Sequence, residues 1–140
     1  MGLMPLRRAL LILGCAAACP AFGDEGDVDG IRRVITAQFQ AFADDDADAA
    51  FETATPRVRS SMGHPGRFLA MVRGHYPMVY RPASYAFLDV ELKARQAWQL
   101  VRVSDLHGKA WVALFHLERQ PDGSWRIGGC TVNEMRWQPT

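Results

Sequence analysis

The sequence predicts an α+β domain in which N-terminal helices cover one face of a curved, four-stranded antiparallel sheet. Two observations lead to this prediction. Apolar residues recur at spacings of three and four up to about residue 76, as on a helix, and at spacings of two from Ser84 onward, as on a strand. Helices followed by a meander of strands are typical of an α+β arrangement.

The first predicted helix spans residues 28–43. Its apolar residues form one stripe, at Val28, Ile31, Ile35, Phe39 and Phe42. Such a stripe needs a partner element, so this helix must lie on the sheet. A shorter helical pattern follows at residues 47–54. We expect Asp45 or Asp46 to cap that second helix, while Asp44 sits unfavourably at the C-terminal end of the first.

Glycine and proline divide the rest of the helical part. Thr55 suits an N-cap, because Pro56 then occupies the first position of a helix over residues 56–62. Residues 63–66, GHPG, break this helix, and residues 68–76 carry the last helical face. A residue that precedes proline avoids the α conformation. We therefore expect the segment YPMVYRP, residues 76–82, to be extended.

Four strands are predicted after Ser84. In the first strand, alternate residues point to opposite faces. One face carries Ala86, Leu88, Val90 and Leu92, and the other carries Tyr85, Phe87, Asp89 and Glu91. The next three strands cover residues 97–105, 110–120 and 125–137. Gly108 and Gly123 suit the turns between them, and Gly128-Gly129 predicts a bulge or bend of the sheet.

The third strand is apolar on both of its faces. Trp111, Ala113, Phe115 and Leu117 share one face, and Val112, Leu114, His116 and Glu118 share the other. The helices cover one face only, so the second face is expected to meet a partner. The simplest partner is a second copy of the chain, and we predict a homodimer through the open sheet face.

The first 23 residues have the order of a secretory signal peptide: basic MGLMPLRR, apolar ALLILGCAAAC, then a small-residue pattern before DEGD. Cleavage after Gly23 leaves a single α+β domain at residues 24–140. The apolar run is shorter than the roughly 20 residues that cross a bilayer, so no membrane span is predicted. We expect an exported, periplasmic protein, with a lipoprotein acylated at Cys15 or Cys19 as the alternative.

The mature chain is close to neutral, since removing Arg7 and Arg8 from 16 basic residues leaves 14 against 15 acidic ones, a net charge of −1. This balance excludes a strongly basic nucleic-acid binder. Residues 24–52 carry a net charge of −7, and residues 53–82 carry +5. We expect these segments to pair or to be solvated. Alternatively, arginines of the second segment form a rim that binds a small anion, with Arg67, Arg73 and Arg81 as candidates.

No metal site or cofactor is predicted. The aspartates of DDDAD, residues 44–48, match the first, third and fifth positions of a calcium-binding loop. However, Ala49 replaces the glycine and Thr55 the closing glutamate of that loop. The histidines lack zinc-binding spacing. Without the signal peptide, Cys130 is the remaining cysteine. We interpret it as a buried small residue, because IGGCTV supplies no base or cation to activate a thiol.

If the protein is an enzyme, the chemistry that its residues still allow is general acid–base catalysis, as in an isomerase or dehydratase. It requires a carboxylate or histidine with a raised pKa and a donor for developing negative charge. The candidates are Tyr76, Tyr80, His75, His116, Asp89 and Asp105. These residue types occur in almost any domain of this size. We therefore favour a non-catalytic module that binds a small anionic or apolar ligand or a protein.

Three segments carry a resemblance to a known family: QFQAFADDDADAAFETATP, FLAMVRGHYPMVYRP and DGSWRIGGC. They resemble segments of the small exported bacterial proteins grouped as domain of unknown function 4864, over about residues 28–135. The order of elements is also remotely similar to the cone-like, cystatin-like fold of nuclear transport factor two and ketosteroid isomerase. That resemblance implies a pocket between helices and sheet. Members of this fold use the pocket for catalysis, ligand binding or assembly, so the fold does not choose among these functions.

Overall fold

The structure is a computed structural model that describes residues 23–136. Its helices are α1 (Gly23–Ala43), α2 (Ala47–Glu52), α3 (Pro56–Met62), α4 (Pro65–His75) and α5 (Pro77–Tyr80). Its strands are β1 (Ser84–Lys93), β2 (Gln96–Ser104), β3 (Ala110–Arg119) and β4 (Trp125–Glu134). The strands form one antiparallel sheet in the order β1-β2-β3-β4, which confirms the predicted α+β class. Residues 1–22 of the predicted signal peptide, with Cys15 and Cys19, lie outside the described part of the chain.

Helix α1 is longer than its apolar stripe predicts, since it begins at Gly23 rather than at residue 28. Tertiary contacts hold the added turns. The indole N–H of Trp125 on β4 donates to Asp27 Oδ1 at 3.3 Å. Gly30 allows this approach, because a Cβ atom there would lie 3.1 Å from Trp125 Cδ1. None of the described helices is long and apolar enough to cross a membrane.

The core lies between α1 and the inward face of the sheet. Its fully buried members include Ile31, Ile35, Val101, Val103, Ala113, Phe115 and Leu117. The predicted faces of β3 are confirmed, because Ala113, Phe115 and Leu117 are buried while the residues between them are half-buried. The α1 stripe therefore meets the odd-numbered face of β3, and the even-numbered face stays open.

The predicted alternation of β1 is wrong, because a bulge interrupts it and Phe87 packs on the core together with Val90 and Leu92. The register shifts between Phe87, which opposes Val101, and Val90, which opposes Gln99. This bulge turns Phe87 and Val90 to the same inward face and leaves Leu88 39% exposed. The cause is on the neighbouring strand: the Gln99 side-chain amide, fully buried, donates to the carbonyls of Leu88 and Asp89 at 2.9 and 3.2 Å. An alternation rule cannot anticipate a bulge held by another strand.

The bulge predicted at Gly128-Gly129 is confirmed. The pairing of β3 with β4 shifts between His116, opposite Gly129, and Leu117, opposite Ile127. Gly128 is the extra residue, and a Cβ atom there would lie 3.3 Å from His116 Nδ1. The bulge brings Ile127 and Cys130 to the inward face although they are three residues apart.

A segment between α2 and α3 covers part of the β4 edge, which the sequence did not predict. The N–H of Ile127 donates to Thr53 O at 2.8 Å, and the N–H of Thr55 donates to Ile127 O at 3.0 Å. This short parallel bridge satisfies backbone groups that an edge strand would leave unpaired. It also brings α3 against β4.

The predicted cap of α3 is confirmed, because Thr55 Oγ1 accepts from the N–H of Val58 at 3.3 Å. The predicted break after it is only two residues long, since Gly63 ends α3 with φ 78° and α4 starts at Pro65. The extended segment predicted at residues 76–82 is wrong in part. Tyr76 is non-helical, but Pro77 starts the short helix α5. Proline disfavours the α conformation before itself and still suits the first helical position.

Candidate functional site

A cavity of about 230 Å³ lies between the helices and the inward face of β4. Its wall is mainly apolar, and its lining residues are Gln38, Phe42, Ala54, Val58, Phe68, Met71, Val72, Tyr76, Val79, Ile127, Gly129 and Cys130. An apolar cavity of about 150 Å³ is large enough to hold benzene. This cavity can therefore accommodate a small ring compound.

Three elements shape the cavity. Phe68, Met71 and Val72 lie at helical spacing on α4 and form one wall. The Gly128 bulge turns Ile127 and Cys130 toward them from β4. The short bridge at residues 53–55 holds the start of α3 beside β4. The cavity thus depends on the β4 bulge and on the short parallel bridge between residues 53–55 and β4.

Cys130 is a neutral part of this wall. Burial raises the pKa of its thiol to about 12. The thiolate, which is the nucleophilic form, is therefore scarce at physiological pH. Cys130 is a free cysteine and is half-buried, packed against the core from β4.

The candidate proton-transfer residues do not converge in the cavity. Tyr76 lines it, whereas the neighbouring His75 is exposed at the end of α4. Asp89 is exposed at the β1 bulge. His116 lies on the open sheet face, with its Nε2 3.0 Å from Gln96 Oε1. The described lining residues include no carboxylate and no histidine.

Asp105 organises the turn between β2 and β3. Its carboxylate accepts from the N–H groups of His107 and Lys109 at 2.8 and 2.9 Å and from the indole N–H of Trp111 at 3.1 Å. The indole hydrogen bond is the main cause that lowers the pKa of Asp105. A general base requires a raised pKa, so this carboxylate is arranged for turn structure instead.

Tyr80 and Arg81 form hydrogen bonds at the C-terminal end of α1. Arg81 Nη1 donates to the carbonyls of Phe42, at 3.0 Å, and Ala43. Its Nη2 donates to Asp45 Oδ2 at 3.0 Å, and the Tyr80 hydroxyl donates to Asp45 Oδ1. Helix α1 has no basic residue in its last turn. Arg81 therefore supplies the positive charge that favours a helix C-terminus.

The aspartates that follow α1 form hydrogen bonds and an ion pair that stabilise the fold. Asp46 caps α2, as predicted, because its Oδ1 accepts from the N–H of Ala49 at 3.1 Å. Asp45 adopts the left-handed conformation at φ 53° and faces Arg81. Gln40 donates to both carboxylate oxygens of Asp44 at 3.1 Å. Within residues 23–136, no three His, Cys, Asp or Glu side chains lie close enough together to hold a metal ion.

Two of the three candidate anion-binding arginines share a second pocket. Arg73 and Arg81 line a pocket of about 350 Å³ beside the β2–β3 turn, with Tyr80, Asp105 and His107. Arg67 is exposed on α4 and does not line this pocket. The guanidinium of Arg81 is engaged by α1 and Asp45, which leaves little of it for a ligand.

The predicted pairing of the acidic and basic segments occurs in a single described ion pair, Arg81 with Asp45 at 3.0 Å. Arg57 instead pairs with Glu118 at 3.4 Å. In the described part of the chain, Arg67 and Arg73 form no ion pair. Exposed ion pairs contribute little to stability, so solvation suffices for these side chains.

The open sheet face presents a second apolar surface. Trp98, Leu100 and Leu114 are half-buried there and line a groove of about 250 Å³. The Trp98 and His116 rings lie with their centroids 5.4 Å apart. Glu91 and Arg102 lie on the same face, opposite Trp98 and Val112 in the strand register.

Comparisons with known proteins agree with this architecture. The model of a family described as domain of unknown function (DUF4864) matches residues 24–140. An NTF-2-like protein of unknown function from Silicibacter pomeroyi is 16% identical, with a TM-score of 0.57 over 80% of this chain and 98% of that chain. A second, from Shewanella baltica, is 12% identical, with a TM-score of 0.55 over 81% and 97%. A third, from Burkholderia xenovorans, is 18% identical, with a TM-score of 0.50 over 81% and 88%.

These identities are low enough that the similarity concerns the fold alone. It confirms the predicted cone-like arrangement. A search of curated proteins finds no match to this sequence. The chemistry of the site must therefore be read from its own residues.

Proposed function

The chain belongs to the DUF4864 family, a domain of unknown function, and we propose that it is a non-catalytic module that binds a small apolar molecule. The observation that carries this proposal is the cavity of about 230 Å³ beside β4. Ligand sites are usually concave, mainly apolar and provided with a few polar groups. Gln38, Tyr76 and Cys130 are the polar groups of this wall.

Binding is favoured over catalysis by what surrounds the cavity. An isomerase- or dehydratase-like enzyme needs a group with a pKa near the working pH beside its substrate. Tyr76 is the one sequence candidate for catalysis among the described lining residues. No carboxylate or histidine lies beside it among those residues to exchange a proton with a substrate. We therefore assign Tyr76 a part in ligand contact rather than proton transfer.

The binding proposal can be tested with toluene as a neutral apolar probe. Because a ligand that binds only the folded state stabilises it, toluene should raise the unfolding temperature saturably. In methyl NMR spectra, the Met71 signal should shift with toluene, while that of Met135 should not. Met71 lines the cavity, whereas Met135 is exposed at the end of β4 and serves as the matched control. Absence of a saturable shift at Met71 up to the solubility of toluene would overturn the proposal.

We also propose that the chain forms a homodimer through its open sheet face. The apolar centre at Trp98, Leu100 and Leu114 is accompanied by charges of both signs, Glu91 and Arg102. A two-fold axis brings each patch against an identical one, so mixed charges can pair across the interface. This face is also the one that the described helices leave uncovered.

Light scattering at tens of micromolar tests the dimer. Wild-type protein should have twice the mass of the mature chain, and Leu114→Arg should reduce it to the monomer mass. Leu106→Arg is the matched control, because Leu106 is 72% exposed at the β2–β3 turn, away from the sheet centre. A monomeric wild type contradicts the proposal, as does equal dissociation of both variants.

Export and cleavage after Gly23 remain part of the proposal. The family match starts at residue 24, the first residue of the mature chain that the sequence predicts. Intact-mass measurement of the protein secreted by a bacterial host should give a chain that begins at Asp24. A diacylated mass starting at Cys15 or Cys19 would support the lipoprotein alternative instead.

A further inference from the structure

Gln38 is a buried polar residue in the wall of an otherwise apolar cavity. It lies in α1, next to the core residue Phe39, and is only 4% exposed. Buried polar groups normally have hydrogen-bond partners. The way in which this amide is satisfied indicates what the cavity can bind.

The orientation of the Gln38 amide follows from its neighbour Thr53. The Thr53 hydroxyl donates its single proton to the carbonyl of Ala50 at 2.6 Å. Thr53 Oγ1 can therefore only accept from Gln38, and Gln38 Nε2 lies 2.9 Å from it. The amide nitrogen thus faces Thr53, and Oε1 points away from that contact.

Gln38 Oε1 is an acceptor to which no described residue donates. Among the hydrogen bonds formed by residues 23–136, none ends on this atom. The fully enclosed side-chain atoms that lack a partner in the same part of the chain are Arg32 Nε and Gln99 Oε1. Gln38 Oε1 is not one of them, so it keeps contact with open space. The open space that Gln38 lines is the cavity beside β4.

We propose that the cavity selects neutral apolar molecules that carry one hydroxyl or N–H donor, with that donor bound to Gln38 Oε1. This inference rests on the proposed ligand-binding function. A ligand that lacks a donor leaves a buried acceptor unpaired, which weakens its binding. An anionic ligand is excluded by desolvation, because the described lining residues contain no lysine, arginine or histidine.

The inference is tested with p-cresol and p-xylene, which have nearly the same shape and differ by a hydroxyl in place of a methyl group. Calorimetry gives the dissociation constant of each probe for wild type and for Gln38→Met. Transfer of the p-cresol hydroxyl out of water has a cost that p-xylene does not have, so the two dissociation constants cannot be compared directly within one protein. That cost is the same for wild type and for Gln38→Met. It therefore cancels when the ratio of the two dissociation constants is compared between the two proteins. We expect Gln38→Met to reduce the relative preference for p-cresol about tenfold, with little change for p-xylene.

Gln40→Met is the matched control. It makes the same substitution on α1 at an exposed glutamine that does not line the cavity, and it leaves the hydrogen bond between Gln38 and Thr53 in place. Its p-cresol to p-xylene ratio should stay within about twofold of wild type. The anion 4-methylbenzoate should bind neither protein. Binding of 4-methylbenzoate to wild type in the cavity would contradict the exclusion of anions.

Failure of the inference and failure of the proposed function are distinguishable. If neither aromatic probe binds wild type, the proposed function fails. If both bind and Gln38→Met leaves the ratio unchanged, the ligand site stands and the role of Gln38 is overturned. If Gln38→Met does not fold, the side-chain carbonyl ¹³C signal of wild-type Gln38 gives a second readout. That signal should move with p-cresol and not with p-xylene, and equal shifts with both would refute the inference.

Discussion

Replacing Cys130 with leucine tests whether the space beside β4 is open to a side chain. Cys130 lines the cavity of about 230 Å³, and leucine extends into it by two additional heavy atoms. Burial of a methylene-sized group contributes about 0.8 kcal/mol, so two contribute roughly 1.6 kcal/mol. Ordering the leucine side chain costs about 0.5–1 kcal/mol. Cys130→Leu should therefore raise the free energy of unfolding by about 0.5–1 kcal/mol.

The control for this substitution is Val132→Leu on the same strand. Val132 is half-buried against the core, opposite Ala113, and does not line the cavity. An added methylene in a packed site usually costs about 1–3 kcal/mol. Urea unfolding of both variants should thus give changes of opposite sign. For a domain of this size, Cys130→Leu corresponds to a rise of roughly 2–4 °C in the unfolding temperature.

The same variant connects stability to binding. The leucine occupies space that a ligand would use, so toluene should bind Cys130→Leu more weakly than wild type and Val132→Leu as wild type does. A loss of more than about 1 kcal/mol in Cys130→Leu would show that the space cannot accept a side chain. Unchanged toluene affinity would show that the probe binds elsewhere. Either result refutes the assignment of this cavity as the site.

Three further outcomes are expected. Arg81→Met should lower the free energy of unfolding by about 2 kcal/mol, because it removes charge-assisted hydrogen bonds to the C-terminal end of α1 and to Asp45. The control Arg73→Met should change it by no more than about 0.5 kcal/mol, and equal losses for the two variants in urea unfolding would contradict this. Ala94→Gly should stabilise the protein by roughly 0.5–1 kcal/mol, since Ala94 has φ 55°; a lower unfolding temperature would contradict this. Burial raises the pKa of Cys130 from 9.0 to about 12, so its contribution to stability is present below pH 9 and is lost as pH rises toward 12. Unfolding of Cys130→Ala should then depend less on pH in this range, and parallel profiles would refute the effect.

Local signals predicted those elements whose cause lies within a few residues. Thr55 and Pro56 set the start of α3, and Asp46 caps α2, because a cap needs only its own helix. The bulge at Gly128 was predicted because glycine itself marks such a position. The bulge in β1 was missed, since its cause is the Gln99 side chain on the neighbouring strand. A glutamine on the inward face of an apolar strand was the available signal.

The candidate site was less predictable than the fold. Of the catalytic candidates, Tyr76 lines the cavity, while Tyr80 and Asp105 are engaged in structural hydrogen bonds. Gln38 was not a candidate, because a glutamine among α1 residues has no distinguishing local pattern. Its significance depends on Thr53, 15 residues later in the chain. Residue type could propose candidates, but only packing shows which polar atoms lack partners.

The sequence by itself determined the order of the first four helices and the four strands, the burial of the α1 stripe and the open face of β3. These features follow from apolar periodicity, which acts within single elements. Tertiary structure alone decided the start of α1 at Gly23, the cavity, and the acceptor in it to which no described residue donates. Trp125 holds the first turns of α1 through Asp27, 98 residues earlier in the chain, and the cavity arises where the β4 bulge meets α4. Such features depend on contacts between distant segments, and those contacts are defined only once the chain is folded.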